Sequence, residues 1–132
     1  MLVSDETLQT GEWASRQLGQ RFVPPFVAIG IRNKQGELTG AAIFNDRCDR
    51  NIEMTAVGRG AFTRGVCREL ARYCFVQSKC RRVTTRTRAS NLYVRRVLER
   101  FGWVEEGVLR HWYDDDDCVV YGLLKKDCRF LG

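Results

Sequence analysis

The run NIEMTAV, residues 51–57, alternates apolar and polar side chains with the period of a strand, and a few residues later the period has become that of a helix. From Thr63 to Gln77 the residues Val66, Cys67, Leu70, Ala71, Cys74 and Phe75 recur at spacings of three and four, which predicts a helix packed along one face. Arg64, Arg68 and Arg72 fall one turn apart on its outward face. KCRRVTTRTRA, residues 79–89, then returns to a β-branched, alternating pattern and reads as a strand despite its arginines. Strand, helix and strand in succession predict a βαβ unit in the middle of the chain.

The flanking segments read as antiparallel structure. A short amphipathic helix is predicted from about Thr10 to Leu18, with Trp13 and Leu18 as its apolar contacts. FVAIGI and LTGAAIFND read as two strands joined at NKQGE, where Gly36 supplies a positive φ. Arg47 to Arg50 reads as a polar turn. After the central unit, NLYVRRVLERFG predicts a helix with Val94, Val97, Leu98 and Phe101 inward and Gly102 at its end. WVEEGVLRHWY and CVVYGLL are strands, with Asp114 to Asp117 as the turn between them. The predicted class is α/β: a mixed, mostly antiparallel sheet flanked by helices, in one domain over residues 1–132.

No apolar run approaches the roughly 20 residues that span a bilayer, and the N-terminal MLVSDETLQTGEW lacks the sections of a signal peptide. A cytoplasmic protein without a membrane partner is therefore expected. The 6 cysteines include no CxxC pair and only 1 histidine accompanies them, so no metal site is expected. They read as small buried hydrophobes in a reducing compartment, with an incidental disulfide or a reactive thiol as the alternative. The net charge of +6 is unevenly placed: 12 of 18 arginines lie between Arg59 and Arg110, opposed there only by Glu69, Glu99, Glu105 and Glu106. A positive field of this kind draws polyanions, either a nucleotide cofactor or a nucleic acid.

Between NIEMTAV and the arginine-striped helix lies GRGAFTRG, residues 58–65. Glycines and arginines at a strand-to-helix junction make a phosphate cradle or an ordinary turn. Together with CRRVTTRTRASN, the VLERFGWVEEGVLR phrase and the closing YGLL, this succession resembles the GNAT acyltransferase superfamily over roughly residues 26 to 128. The resemblance is nearest to the branch of ribosomal-protein N-terminal and spermidine acetyltransferases, in its short phage or prophage form. The branch's features correspond here to Asn91 at a helix mouth, Gly102-Trp103, Glu105, Glu106-Gly107 and Arg110.

The resemblance implies a GNAT fold whose central βαβ unit binds acetyl-CoA, with no metal. The pantetheine arm would pair with backbone at Ala56 and Val57, whose N–H groups would also face the oxyanion. The pyrophosphate would rest on Arg59, Gly60, Ala61, Phe62, Thr63, Arg64 and Gly65. A helix start independently suits that placement, because it offers unpaired donors and about half a positive charge. Ala61 or Phe62 stands where the family has its second glycine. Asn91 would join the second half of the site, or cap its helix, or both.

The family's usual acid, a tyrosine four residues before the Gly-Phe pair, is replaced by Leu98. The remaining candidates are Glu53 as general base or an exposed strand carboxylate, Ser90 as acid or a cap, and Tyr93 as a third donor. His111 reads as a packing or surface residue.

Three functions stay open on the sequence. The first is an acetyl-CoA-dependent N-acetyltransferase acting on a protein N-terminus, a lysine or a small amine, with the aspartate turn either drawing the cationic acceptor or keeping a hairpin soluble. The second is a GNAT-fold protein that binds or modifies nucleic acid through Arg64, Arg68 and Arg72 with Arg81, Arg82, Arg86, Arg88, Arg95 and Arg96. The third is a non-catalytic assembly protein. A monomer or a homodimer is expected; the sheet edge after Val119 to Leu124 could pair with a second subunit, though no feature of the sequence points to it.

Overall fold

The computed structural model describes residues 2–131. Among the described residues, seven strands and three α-helices follow in the order β1 Leu2–Val3, α1 Thr7–Leu18, β2 Val27–Arg32, β3 Leu38–Cys48, β4 Asn51–Val57, α2 Arg64–Arg72, β5 Arg82–Arg88, α3 Leu92–Arg100, β6 Val104–Tyr113 and β7 Asp116–Leu124. The sheet order is β1-β2-β3-β4-β5-β7-β6, and β1–β2, β2–β3, β5–β7 and β6–β7 are antiparallel. The chain divides into two compact units, residues 2–46 with 54–70 and residues 47–53 with 71–131.

In the first unit, α1 lies on β2 and the predicted hairpin follows. Helix α1 starts at Thr7 rather than Thr10, because the Thr7 hydroxyl exchanges hydrogen bonds with the Ala28 backbone at 3.4 Å. Its buried residues are the small ones, Thr10, Gly11 and Ala14, while Leu18 stays exposed. Close approach explains the choice: a Cβ on Gly11 would lie 2.6 Å from the Phe26 ring. Ala14, Ala28, Ala41, Ile43 and Val57 form the core there, with Trp13, Phe22 and Phe26 packed against it. The β2–β3 turn uses Gly36 at φ +81°, and its amide donates to the Asn33 carbonyl at 3.0 Å. β3 runs on to Cys48, so the polar turn narrows to Asp49 and Arg50.

In the second unit, Leu98, Val119 and Tyr121 form the core, with Ala89, Val94 and Trp103 against it. The helix expected to reach Gln77 changes character at Tyr73, where a π-helical turn, Tyr73–Gln77, carries the Ser78 amide to the Tyr73 carbonyl at 2.8 Å. Helix α3 is capped as its sequence predicts, with Asn91 before it and Gly102 at φ +93° after it. β7 begins at Asp116, so two of the four aspartates belong to the strand. Its flanks are β5 and β6; the edge strand is therefore β6, and the expected dimer edge at Val119 to Leu124 is interior. No helix among the described residues is long and apolar enough to cross a membrane.

Candidate functional site

The loop after β4 spends its first two glycines on packing. Gly58 sits at φ +80°, and a Cβ there would lie 2.4 Å from the Thr39 carbonyl oxygen. A Cβ on Gly60 would lie 2.5 Å from the Thr39 hydroxyl, and one on Gly40 would lie 2.6 Å from the Ala61 amide nitrogen. Thr39 and Gly40 of β3 thus receive the loop at backbone contact, a distance only glycine permits. Residues Arg59–Phe62 form a 3-10 turn. Ala61 is buried, and its amide donates to the Gly58 carbonyl at 3.1 Å, so this residue holds the loop from inside. Phe62 is half-buried.

Helix α2 then opens outward. Thr63 has extended backbone and caps it: its hydroxyl accepts from the Val66 amide at 3.3 Å, and its carbonyl accepts from the Cys67 amide at 2.9 Å. The first-turn amides of Arg64 and Gly65 have no acceptor within the helix. Gly65 is exposed, and a Cβ placed on it would meet no atom within 4 Å. This is the one glycine of GRGAFTRG whose missing side chain faces open space, next to helix donors and the exposed Arg64. The residues present therefore fit an anionic group at the helix start, at Arg64 and Gly65. Val57, by contrast, is buried at the end of β4, where its side chain joins the core.

The second unit gathers Glu53, Ser90, Asn91 and Tyr93, and most are already engaged. Glu53 is paired with both terminal nitrogens of Arg86, at 2.8 and 3.0 Å, and the Arg86 guanidinium lies 5.2 Å from the Trp112 ring centre. The Ser90 hydroxyl donates to Asp116 Oδ2 at 2.7 Å. The Asn91 side chain accepts from the Val94 amide at 3.3 Å, so its capping role is the one seen. Tyr93, in the first turn of α3, is 42% exposed.

Four arginines of the arginine-rich stretch are held in ion pairs: Arg82 with Glu106, Arg86 with Glu53, Arg88 with Asp115 and Arg95 with Glu105. Arg95 also reaches the Ala89 carbonyl at 2.8 Å and the Tyr121 hydroxyl at 3.2 Å; burial pushes that phenol's pKa up. The aspartate turn is likewise occupied. Asp115 holds Arg88, Asp116 holds Ser90, and Asp117 Oδ1 accepts from the His111 amide at 2.9 Å. The bond from Arg88 holds the Asp115 carboxyl below its ordinary pKa, and the bonds from Ser90 do the same for Asp116. These partners come from other strands, so no spacing in the sequence announces them.

The fold has counterparts among solved structures. It superposes with a TM-score of 0.80 on mutant forms of the spermidine/spermine N-acetyltransferase SpeG from Vibrio cholerae, at 13% identity over 99% of this chain and 96% of that one. The fold is that of the GNAT acyltransferases. The Vibrio cholerae spermidine N-acetyltransferase in complex with CoA and spermine superposes on this GNAT fold at 0.76, with 14% identity over 100% of this chain and 98% of that one. A dodecameric structure of that organism's enzyme gives 0.69, with 17% identity over 87% and 72% of the two chains. No protein-family model matches the sequence, and no curated protein matches it.

Proposed function

We propose that this chain is an acetyl-CoA-dependent N-acetyltransferase whose acceptor is a primary amine, with small polycationic amines the first class to try. The observation that carries the reading is the open face of Gly65 beside the first-turn amides of α2, in a fold whose solved counterparts include one bound to CoA and spermine. Arg64 and the amides of Arg64 and Gly65 hold the pyrophosphate; Arg59 adds charge, and Ala56 and Val57 offer backbone to the pantetheine arm. Acetyl-CoA brings the thioester. The amine nitrogen attacks its carbonyl carbon, the C–S bond breaks, and the CoA thiolate takes up a proton.

This chain's residues supply the proton traffic. Glu53 receives the proton that the amine must lose, and Tyr93 donates to the departing sulfur. Ser90 is not that donor, since its hydroxyl proton is directed at Asp116. The experiment is a panel of amines (spermidine, spermine, free lysine and a peptide with a free N-terminus) incubated with acetyl-CoA while free thiol is followed. Amine-dependent thiol release supports the reading; CoA binding without release on any amine overturns transfer.

That second outcome would favour a GNAT-fold protein that binds acyl-CoA without transferring it. The commitment of Glu53 to Arg86, together with Leu98 at the usual acid's place, is what favours this reading.

A further inference from the structure

β6 is the open edge of its sheet. Its strand neighbour is β7, and on the other side its backbone N–H and C=O groups face no strand. The ladder with β7 shifts between Glu105 and Gly107 and again between Leu109 and Tyr113, so Gly107, Val108 and Leu109 form a regular stretch between two bulges. Val104, Val108 and Trp112 are 59%, 50% and 54% exposed, four residues apart along this one strand. Single exposed apolar residues are ordinary. Three of them on an open strand edge make a surface to which another strand adds.

The order of residues says which strand fits. VEEGVLRHW, residues 104–112, is apolar at both ends and at its centre, acidic at Glu105 and Glu106, and basic at Arg110 and His111. The complement of this strand is the same strand reversed. We propose that β6 joins two copies of this chain edge to edge, antiparallel, about a two-fold axis at Val108. Val104 then lies opposite the partner subunit's Trp112, Val108 opposite the partner subunit's Val108, and Glu105 and Glu106 opposite the partner subunit's His111 and Arg110. The faces agree, as they must for directly opposed residues. Val104 is opposite Gly122, on the face that carries Val120; Arg86, also opposite Val120, sets its guanidinium 5.2 Å from the Trp112 ring centre. Val108, opposite the buried Val119, is on the other face. The charges are available as well. Arg110 is exposed, and its guanidinium has no partner among the described residues. Arg95 takes Oε1 of Glu105, whose side chain is 43% exposed, and leaves Oε2 for a second cation. The contact is isologous and closes at two chains. One strand pair is a small interface, so dissociation in the micromolar range is expected.

The inference stands whether or not the chain transfers acetyl groups, and its test uses mass rather than activity. Sedimentation equilibrium of wild type from about 1 to 500 µM should show reversible dimers. Val108→Lys, which sets two ammonium groups face to face at the axis, and Arg110→Glu, which sets carboxylate against carboxylate, should each weaken association about tenfold or more with the far-UV circular dichroism unchanged. Cross-linking fixes the register. Opposed residues on the axis have Cβ atoms about 4.5–5.5 Å apart, close to the separation a disulfide spans. In a Cys48→Ala background, which removes the exposed native thiol, Val108→Cys should therefore oxidise to a dimer linked 108 to 108. Val104→Cys should not link to itself, yet should link to Trp112→Cys when the two proteins are mixed. Peptide mass spectrometry reads the linked pair. A wild type that stays monomeric at about 500 µM overturns the proposal. So does an assembly that Val108→Lys and Arg110→Glu leave intact, or one whose Val108→Cys form yields no 108-to-108 link. Val108→Cys changes the side chain little, so it carries the comparison should Val108→Lys not fold.

Discussion

Two glycines of one eight-residue loop should respond in opposite ways to the same added methyl group. At Gly65 the helical backbone accepts alanine and the new Cβ meets nothing within 4 Å. Glycine to alanine in a helix gains roughly 0.5–1 kcal/mol. For a chain of this length each kcal/mol is worth about 4 °C, so Gly65→Ala should raise Tm by about 2–4 °C. At Gly58 the φ of +80° is costly for any other residue, by about 1–3 kcal/mol, and the Cβ would lie 2.4 Å from the Thr39 carbonyl oxygen. Displacing backbone there adds about 1–3 kcal/mol, so Gly58→Ala should lower Tm by about 8–24 °C. Acetyl-CoA binding reverses the order of merit: Gly65→Ala, the more stable protein, should bind about tenfold more weakly because its methyl group stands where a phosphate approaches the amides. Thermal melts and calorimetric titration of the two variants make the comparison. A Gly65→Ala protein that binds acetyl-CoA like wild type would refute the assignment of that open face, and an undiminished Tm in Gly58→Ala would refute the packing argument.

Tyr93→Phe should lower kcat by about 10²-fold or more while leaving acetyl-CoA affinity nearly unchanged, as steady-state rates set beside direct titration would show. Arg82 holds the Glu106 carboxyl below its ordinary pKa, as Arg88 does for Asp115 and Ser90 for Asp116. A depressed folded-state value contributes stability above the unfolded pKa, so these groups support the fold at pH 5–7 and lose that support as pH falls through about 4 and below. Urea titrations from pH 7 to 3 should show the decline, less steep in Glu106→Gln. Cys48 is exposed, whereas burial pushes the Cys74 thiol far above its ordinary pKa. Mass spectrometry after alkylation at pH 8 should therefore find Cys48 modified first and Cys74 only after unfolding.

Local signals in the sequence carried most of the fold. The β2–β3 turn was legible because Gly36 and Asn33 act within a few residues of each other, and Asn91 announces α3 because a cap bonds to its own helix. What the sequence did not show shares a physical cause, which is that the partner lies far along the chain. Nothing in GRGAFTRG announces that Gly58 and Gly60 pack on Thr39, from another strand. The arginines of β5 look like a cationic surface until Glu53, Glu106 and Asp115 are found beside them. Residues 115–117 suggest a lure for a cationic amine, yet their acceptors are filled by Arg88, Ala89, Ser90 and His111. β1 escaped notice because two residues, Leu2 and Val3, carry no period of their own.

The central claim is that the start of α2 seats an acyl-CoA. Calorimetric titration with acetyl-CoA, in parallel with duplex and single-stranded DNA at two salt concentrations, tests it most directly. The account predicts saturable, one-to-one acetyl-CoA binding that Arg64→Glu weakens by tenfold or more. DNA binding that falls steeply with salt, in a protein that takes up no acetyl-CoA, would contradict it.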